Sequence, residues 1–481
     1  MTLLAGIDLG TTKTTCIAID SESGEVVATA TVASSGRLAT SDTVTGRSEW
    51  DADSLLRCAF DCLNDLAVSL GDRASEIAGL GVTGQQHGTV LVNSRRESLT
   101  PFINWQDQRG NETCTIAGET GRSWIEVARN RLDGAVTRRT GCRLNTGFLA
   151  TTLFWLSENG QLPENGTACF IADLFAAVLT NADVVTDPTN AGGAGVFNFS
   201  RRQFDLEAIE RLGLEPTMFP RVQEARERVG FVEASFARQA GIPERLPVFT
   251  PIGDHQASFV GSVANRHESV LLNVGTGAQI AVFTEASDFQ PPIELRPFPI
   301  SGNLLSNVGL TGGWSYQVLA GLLQRIGVSL FSHNTDSVPY AAMTELAAAA
   351  QPGSGGLEFV PTFSGTRSDP RQTGSLTGMT PENFTPENFV RSLLEGMARG
   401  FREAYDQVIA VTGRRQQKLV GAGNGLRENC VLAQAVMSEF GMPLRLGRHH
   451  EEAARGAAVI AAVGTGICSD LDEAGQRLVE S

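Results

Sequence analysis

The chain has 481 residues, 42% hydrophobic and 19% charged, a composition typical of a folded protein too long for one ordinary core. Its formal net charge is 38 − 53 = −15, which argues against nucleic acid or an anionic membrane as the main partner. No apolar run reaches the roughly 18 residues of a membrane span. The first residues lack the basic and apolar pattern of a signal peptide. We therefore expect a cytoplasmic protein of two large domains.

Strand and helix patterns alternate along the first third of the chain. Apolar runs predict strands at residues 3–9, 14–20, 25–32, 78–83 and 88–93. Apolar residues at helical spacing predict helices at 53–70 and 148–157. Residues 181–200 are rich in Asn, Asp, Gly and Pro and predict a functional loop or hairpin, and the charged residues 201–228 predict a helix. The alternation is typical of an α/β fold.

The second half is predicted to be richer in helix. Periodic apolar residues predict helices at 314–326, 386–411, 427–440 and 452–463. The second of these has Thr385 as its cap and Pro386 in its first turn. Residues 418–425 predict a strand that enters a glycine turn. A strand bounded by prolines near 245–253 predicts a boundary between domains 1–248 and 249–481.

The segment 3–20 carries the first chemical signal. Two apolar runs flank a turn of Gly10, Thr11, Thr12 and Lys13, and Asp8 stands just before the turn. Glycine lets the turn close so that amides and hydroxyls face a phosphate, and a nearby carboxylate suits Mg²⁺. The pattern is not a Walker loop, and both a phosphate-binding turn and a plain β-hairpin fit these residues.

Two more glycine turns follow predicted strands. Gly275, Thr276 and Gly277 lie between two apolar runs and echo the opening hairpin, and a third turn covers 421–425. A true repeat would place two domains of the same type across a cleft, although coincidence fits one recurring hairpin equally well.

Six motifs in order carry a family resemblance. They are GIDLGTTK at 6–13, GVTGQQHG at 81–88, NWQDQR at 104–109, GDHQAS at 253–258, NVGTGAQ at 273–279 and GAGNGLREN at 421–429. Together they resemble the FGGY sugar kinases of the actin and heat-shock chaperone superfamily. The resemblance implies an α/β fold of two actin-like (ribonuclease H-like) domains facing a central cleft for ATP and sugar, with Mg²⁺ as the metal.

Within the family, the GQQHG segment resembles both the sedoheptulokinases and the xylulokinases. TGFLATTLFWL at 146–156, WQDQR and GDHQAS look nearer to the sedoheptulokinases. The resemblance therefore implies sedoheptulose as the first substrate, phosphorylated to its 7-phosphate, and D-xylulose as the second, with other ketoses or polyols after them.

Phosphoryl transfer to a sugar needs a base for the hydroxyl proton, a metal for the triphosphate and amides around the phosphoryl group. Asp254 ends a predicted strand beside a glycine and is our candidate base, a role that the resemblance supports. A helix N-cap is its structural alternative. Asp8 is the candidate carboxylate for Mg²⁺, and a structural turn is its alternative.

The candidate sugar-binding residues come from three motifs. Imidazole and amide groups suit sugar hydroxyls, an aromatic ring covers the apolar face of a sugar, and the alternatives are a structural histidine and a solvated loop with a buried tryptophan. The candidates are Gln86, His87, Trp105, Asp107, Arg109, Asp254 and Gln256, with His255 flanking the base and Asp187 and Asn190 expected to be structural.

The candidate nucleotide-binding residues lie in the glycine turns. Gly10, Thr11, Thr12, Lys13, Gly275, Thr276 and Gly277 are expected at the β- and γ-phosphates, and Gly312 and Gly313 at the start of a helix. The family commonly has Ser or Thr where Lys13 stands, so both a phosphate contact and a solvent-facing side chain fit it. Gly421, Gly423, Asn424 and Asn429 are expected around the adenine.

Three rival functions were weighed. A non-catalytic sugar sensor on the same fold would be favoured by loss of either aspartate, and both are present. A chaperone-like ATPase needs a further peptide-binding domain, and a Rossmann dehydrogenase needs a G-x-G-x-x-G after the first strand. Sugar and ATP are thus the expected partners, without nucleic acid or membrane. The oligomeric state is open, with the homodimer the commonest soluble arrangement.

Overall fold

The computed structural model describes residues 2–119, 121–332, 338–363, 365 and 371–479. Within these ranges, no helix is long and apolar enough to span a membrane.

The first half contains short and long strands, which are β1 Leu3–Leu9, β2 Lys13–Asp20, β3 Val26–Ala33, β4 Glu49–Trp50, β5 Ile77–Gly84, β6 Val90–Val92, β7 Phe102–Ile103, β8 Thr167–Cys169, β9 Val185–Thr186, β10 Phe197–Asn198, β11 Gln203–Phe204, β12 Arg221–Val222, β13 Arg228–Phe231, β14 Pro247–Phe249 and β15 Ile252–Gly253. Its helices are α1 Thr40–Thr43, α2 Ala52–Leu70, α3 Trp124–Arg131, α4 Gly134–Thr140, α5 Leu149–Glu158, α6 Ile171–Thr180, α7 Pro188–Gly193, α8 Leu206–Arg211 and α9 Ala234–Ala240.

The second half begins with a helix and contains a second large sheet. Its strands are β16 Ser269–Val274, β17 Ala278–Thr284, β18 Glu294–Pro297, β19 Asn303–Leu310, β20 Glu358–Val360, β21 Ser375–Thr377, β22 Lys418–Ala422 and β23 Leu444–Leu446. Its helices are α10 Asp254–Ser262, α11 Gly313–Phe331, α12 Tyr340–Ala349, α13 Pro386–Thr412, α14 Asn424–Glu428, α15 Cys430–Phe440, α16 Glu452–Gly464 and α17 Leu471–Leu478.

The two large sheets share an order of five strands, which is β3–β2–β1–β5–β14 in the first and β19–β17–β16–β22–β23 in the second. In the first sheet β13 adds beside β14 and β15 pairs with β5, and in the second β18 adds beside β19. In each, three antiparallel strands (β1–β2–β3 and β16–β17–β19) continue into parallel neighbours (β5 and β22). The chain is therefore an α/β protein of two actin-like domains, and the echo between the hairpins reflects a repeated architecture.

Helices α10 and α16 lie between the sheets and pack directly on each other. A Cβ atom at Gly456 would lie 1.9 Å from the carbonyl oxygen of Ala257, and one at Gly81 would lie 1.8 Å from that of Ala457. No real Cβ atom tolerates such distances, so glycine permits this close backbone contact. The small residues of 452–463 thus join the two halves behind the cleft.

The predicted elements differ from the structure mainly at 201–228. The helix there is α8 alone, flanked by β11, by a 3₁₀ turn at Pro216–Met218 and by β12. Gly213 and Pro216 end the helical segment, and the charged residues form ion pairs, as in Arg202 with Glu224. The helix prediction was wrong for most of this stretch.

The polar stretch 181–200 also contains a helix, α7, which the sequence analysis did not predict. The strands at 3–9, 14–20 and 78–83 and the helices at 53–70 and 386–411 are confirmed, the last with Thr385 accepting from Asn388 N as its cap.

Candidate active site

A cavity of about 300 Å³ lies where the two halves meet. Its lining combines charged, polar and a few apolar side chains from both sheets and from α10. The residues are Asp8, Gln86, His87, Trp105, Asp254, His255, Ser258, Asn273, Gln279, Glu294, Arg296, Val308 and Ala453.

Asp254 is the first residue of α10, directly after β15. Its Oδ1 accepts the main-chain N–H of Gln86 at 3.2 Å and that of His255 at 2.8 Å. Burial raises the pKa of Asp254 to about 6, and these backbone hydrogen bonds oppose the rise. A carboxylate with such a pKa is ionised at neutral pH and accepts a proton readily, which suits a general base.

Asp8 is the penultimate residue of β1 and lies near Asp254. Burial, together with the charges of Asp254 and Glu451, raises its pKa to about 8, and the charge of Lys13 opposes the rise. Its Oδ1 is buried and has no hydrogen-bond partner in the described part of the chain. An orphaned carboxylate oxygen among other carboxylates fits a divalent cation, because the cation would supply the missing partner and offset the repulsion.

Lys13 reaches across the cleft. Its Nζ lies 2.7 Å from Oε1 of Glu451, with 48% and 26% of the two side chains exposed. The ammonium is thus half-exposed and paired with a carboxylate in this structure. It contacts the residue that caps α16 in the other half.

The short helix α7 fixes the backbone and side chains on one side of the cavity. Its Thr189 carbonyl accepts from Nε2 of Gln86 at 2.7 Å, and the Thr189 hydroxyl accepts from the N–H of Gly253 at 2.8 Å. Asp187 caps α7 by accepting from the N–H of Thr189 and of Asn190. The helix thus holds both Gln86 and the residue that precedes Asp254.

His87 adopts a left-handed backbone conformation, with φ of 72°. Its Nδ1 lies 2.7 Å from the carbonyl oxygen of Gly193, and its ring stacks on Phe148 at 4.0 Å between centroids. A carbonyl only accepts, so Nδ1 carries the hydrogen in this contact. An oriented imidazole of this kind suits a sugar hydroxyl.

The NWQDQR motif is divided between the cavity and the core. Trp105 is 45% exposed, lines the cavity and donates from Nε1 to the hydroxyl of Thr11 at 3.0 Å. Asp107 and Arg109 are buried instead, and Nε of Arg109 lies 2.7 Å from Oδ1 of Asp107. Asp107 also accepts from the main-chain N–H of Ser48, and Arg109 donates to Oε1 of Glu49. Direct sugar contact was our expectation for this pair, but the structure places it outside the cavity lining, where it supports the loop that carries Trp105.

Gln256, Asp187 and Asn190 are also buried and absent from the cavity lining. Gln256 donates to the carbonyl of Pro297 at 3.1 Å, and Asn190 donates to that of Pro251 at 3.2 Å. All three hold backbone close to Asp254 or α7. This agrees with the structural role expected for Asp187 and Asn190, whereas a sugar contact by Gln256 stays a prediction.

The titratable residues His255, Glu294 and Arg296 also line the cavity, and the sequence did not mark them as ligand contacts. Burial and the charge of Arg296 lower the pKa of His255 to about 4, so its ring is neutral. Its Nε2 lies 2.9 Å from the hydroxyl of Ser306. The GDHQAS motif marked the neighbourhood of His255, but nothing in the sequence linked β18 to this cavity.

The glycine turn between β16 and β17 is closed against the start of α11. The N–H of Gly313 donates to the carbonyl of Gly275, and the N–H of Trp314 donates to that of Thr276, each at 2.9 Å. A Cβ at Gly312 would lie 2.4 Å from the backbone of Gly277. The predicted turn and the helix start therefore form one unit, and Thr276 is exposed on it.

The other residues predicted to bind the nucleotide lie in turns, in a strand and at the start of helices. Gly423, with φ of 82°, packs against the backbone of Val274 and precedes Asn424, the first residue of α14. Gly421 lies within β22. Asn429 is buried and caps α15 by accepting from Leu432 N at 3.0 Å. Gly10, Thr11 and Thr12 form the turn between β1 and β2.

Two actin-like domains around a polar cleft lined by Asp8 and Asp254 fit a phosphotransferase of the sugar-kinase class. Residues 3–261 match the N-terminal domain, and residues 295–465 the C-terminal domain, of the FGGY family of carbohydrate kinases. The chain belongs to this family and is an ATP-dependent sugar kinase that uses Mg²⁺.

Individual relatives show how broad the family is. The chain is 23% identical to a xylulose kinase of Lactococcus lactis, covering 98% of this chain and 90% of that protein. It is 26% identical to a sedoheptulokinase of Mus musculus, covering 95% and 96%. Its fold matches the crystal structure of Plasmodium falciparum glycerol kinase with ADP, with a TM-score of 0.82, 19% identity and coverage of 100% and 93%.

Proposed function

We propose that the protein transfers the γ-phosphoryl group of ATP to a terminal hydroxyl of an open-chain ketose. Sedoheptulose, giving sedoheptulose 7-phosphate, is the first substrate to test and D-xylulose the second. Support comes from the segments WQDQR and GDHQAS and from similarity to both a sedoheptulokinase and a xylulose kinase.

The main observation in support of this proposal is the local environment of Asp254. It lines the cavity, two main-chain N–H groups orient its Oδ1, and its pKa is about 6. In the proposed reaction Asp254 takes the proton of the terminal hydroxyl while that oxygen attacks the γ-phosphorus, and the bond from the γ-phosphorus to the ADP oxygen breaks. Gln86, His87 and Trp105 would position the sugar so that this oxygen faces Asp254.

Asp8 is the residue that would hold Mg²⁺, because its Oδ1 is buried without a partner among the described residues. When bound, Mg²⁺ neutralises charge on the phosphates. The turns at 10–13 and 275–277 would present their main-chain amides to the phosphates. Since Lys13 bonds Glu451 across the cleft, we place its role in joining the halves rather than in binding phosphate.

We also infer that the two domains, 1–248 and 249–481, close on ATP and sugar together. Closure would exclude water from the γ-phosphate and so limit hydrolysis of ATP. The close packing of α10 on α16 lies behind the cleft, where it would serve as the pivot of this closure.

The substrate is tested by comparing kcat/KM for sedoheptulose, D-xylulose, D-ribulose and glycerol at saturating ATP and Mg²⁺. Phosphorus and proton NMR of the product then identifies the phosphorylated carbon. The proposal predicts the highest kcat/KM for sedoheptulose and phosphate on its terminal C7. A higher kcat/KM for glycerol than for every ketose would contradict it.

A further inference from the structure

A buried ion pair on β18 lines the cavity. Nε and Nη2 of Arg296 donate to Oε2 of Glu294 at 3.0 and 2.7 Å, and the two residues are 4% and 7% exposed. Nη1 of Arg296 donates to the carbonyl of Gly192 at the end of α7, at 3.0 Å. The pair therefore bridges the second sheet and the helix that organises Gln86 and His87.

The guanidinium retains donor capacity toward the cavity. A guanidinium has five N–H groups, and the three bonds to Glu294 and Gly192 account for three of them. The other two are not used by Glu294 or Gly192, and the nearby thiol of Cys142 is a weak acceptor. Because a buried donor without a partner is costly, a ligand oxygen beside Arg296 would be favoured.

Arg296 belongs to the same wall as the sugar-orienting ring of His87. The guanidinium carbon lies 5.3 Å from the centroid of Phe148, the ring on which His87 stacks. Moreover, Gly192 and Gly193, which accept from Arg296 and His87, are adjacent in α7. One rigid unit thus fixes both side chains.

The pair lines the same cavity as Asp254. Arg296 and Glu294 shift the pKa of His255 in opposite directions, whereas burial and backbone N–H groups set that of Asp254. Because Asp254 is the proposed base, the pair is left to contact the sugar rather than to take its proton.

The charge of the wall decides which sugars it suits. Glu294 offsets the charge of Arg296, so the pair offers donors without a net positive field. A neutral hydroxyl or keto oxygen gains hydrogen bonds there, whereas a carboxylate would be desolvated beside Glu294 without a free cation to pair with.

We propose that Arg296 and Glu294 are the specificity determinants of the sugar site, binding oxygens of a neutral ketose and rejecting sugar acids of the same length. The proposal rests on the proposed function and deepens it. It concerns which sugars bind, whereas the base Asp254 concerns whether transfer occurs.

Kinetics of two variants test the pair. Arg296→Lys is expected to raise the KM for the ketose about tenfold, as for loss of hydrogen bonds to a charged group, with KM for ATP unchanged. Glu294→Gln is expected to raise the KM for the ketose and to improve inhibition by D-xylonate about tenfold, because the guanidinium charge is then unbalanced. Glu224→Gln is the matched control, since Glu224 also pairs an arginine through two bonds but lies outside the cavity lining.

The wild-type protein provides a second test that does not depend on folding of a variant. Xylitol and D-xylonate have the same number of carbons, and we expect xylitol to compete with the ketose at least tenfold more strongly. Stronger inhibition by xylonate than by xylitol would overturn the proposal while leaving ketose phosphorylation intact. The same holds if the folded Arg296 and Glu294 variants have the KM values and selectivity of the Glu224→Gln control. Wild-type protein that phosphorylates no ketose would instead refute the proposed function, and this proposal with it.

Discussion

The main-chain N–H of Gln86 donates to Oδ1 of Asp254 over 3.2 Å, although the two residues lie 168 positions apart. The bond joins the turn after β5, which carries His87, a proposed sugar contact, to the first residue of α10. The proposed base and the turn that carries His87 are thus positioned by each other.

Replacing Asp254 by Asn should raise stability while removing activity. The folded-state pKa of about 6 lies above the ordinary 3.8, so the ionised carboxylate costs stability as pH rises from about 4 through 6. Two pKa units correspond to roughly 3 kcal/mol at most. We expect a higher melting temperature for Asp254→Asn at pH 8, with the difference fading by pH 4, as measured by calorimetry. An unchanged or lower melting temperature at pH 8 would show that burial of this carboxylate has no such cost.

The pH profile of kcat/KM should report the same carboxyl group. Asp254 acts as a base only when ionised, so activity is expected to fall about tenfold per pH unit below pH 6. His255 has a pKa of about 4 and stays neutral across this range, and saturating Mg²⁺ keeps the facing Asp8 ionised. Steady-state assays from pH 4.5 to 8.5 measure this fall in kcat/KM on the acid side of the profile. A flat profile down to pH 4.5 would contradict the assignment of Asp254.

Gly456→Ala should disrupt the junction behind the cleft. Its Cβ would lie 1.9 Å from the carbonyl oxygen of Ala257, so α10 and α16 must separate, at a cost of about 3 kcal/mol or more. Gly400→Ala is the matched control, because Gly400 is also helical and a Cβ there meets nothing within 4 Å. It should be neutral or raise stability by about 1 kcal/mol. Equal melting temperatures of the two variants would refute the close packing.

His87→Asn should weaken sugar binding specifically. Asn tolerates the left-handed conformation that His87 adopts, but it lacks the ring that stacks on Phe148 and reaches the cavity. The KM for the ketose is expected to rise about tenfold, with KM for ATP unchanged. His267→Asn on the surface is the control. An equal rise in both KM values for His87→Asn would indicate a general loss of structure.

Local patterns predicted much of the fold. The strands β1, β2 and β5 and the helices α2 and α13 follow from apolar periodicity and end signals, and their bounds agree within a residue or two. The stretch 201–228 failed because its charges satisfy ion pairs such as Arg202 with Glu224 rather than the polar face of a helix. Composition alone does not distinguish a charged segment held by ion pairs from the polar face of a helix.

Motif and cavity coincide at Asp8, His87 and Asp254. They differ at residues whose position is decided by burial. Asp107 and Arg109 have the residue types of a sugar contact, yet their partners, Ser48 and Glu49, turn them into the core. Arg296 donates a hydrogen bond to the carbonyl of Gly192, which lies 104 residues earlier in the chain. Only the folded chain reveals this contact.

The most direct test of the account is release of ADP from ATP and Mg²⁺ with sedoheptulose, xylulose, ribulose, fructose, glycerol and ribitol, using the wild type beside Asp254→Asn. We predict turnover on a ketose that falls by at least about a thousandfold in the variant, with sugar binding retained in a thermal-shift assay. Turnover that survives in Asp254→Asn, or sugar binding by the wild type without any turnover, would contradict the central claim that Asp254 is the base of a ketose kinase.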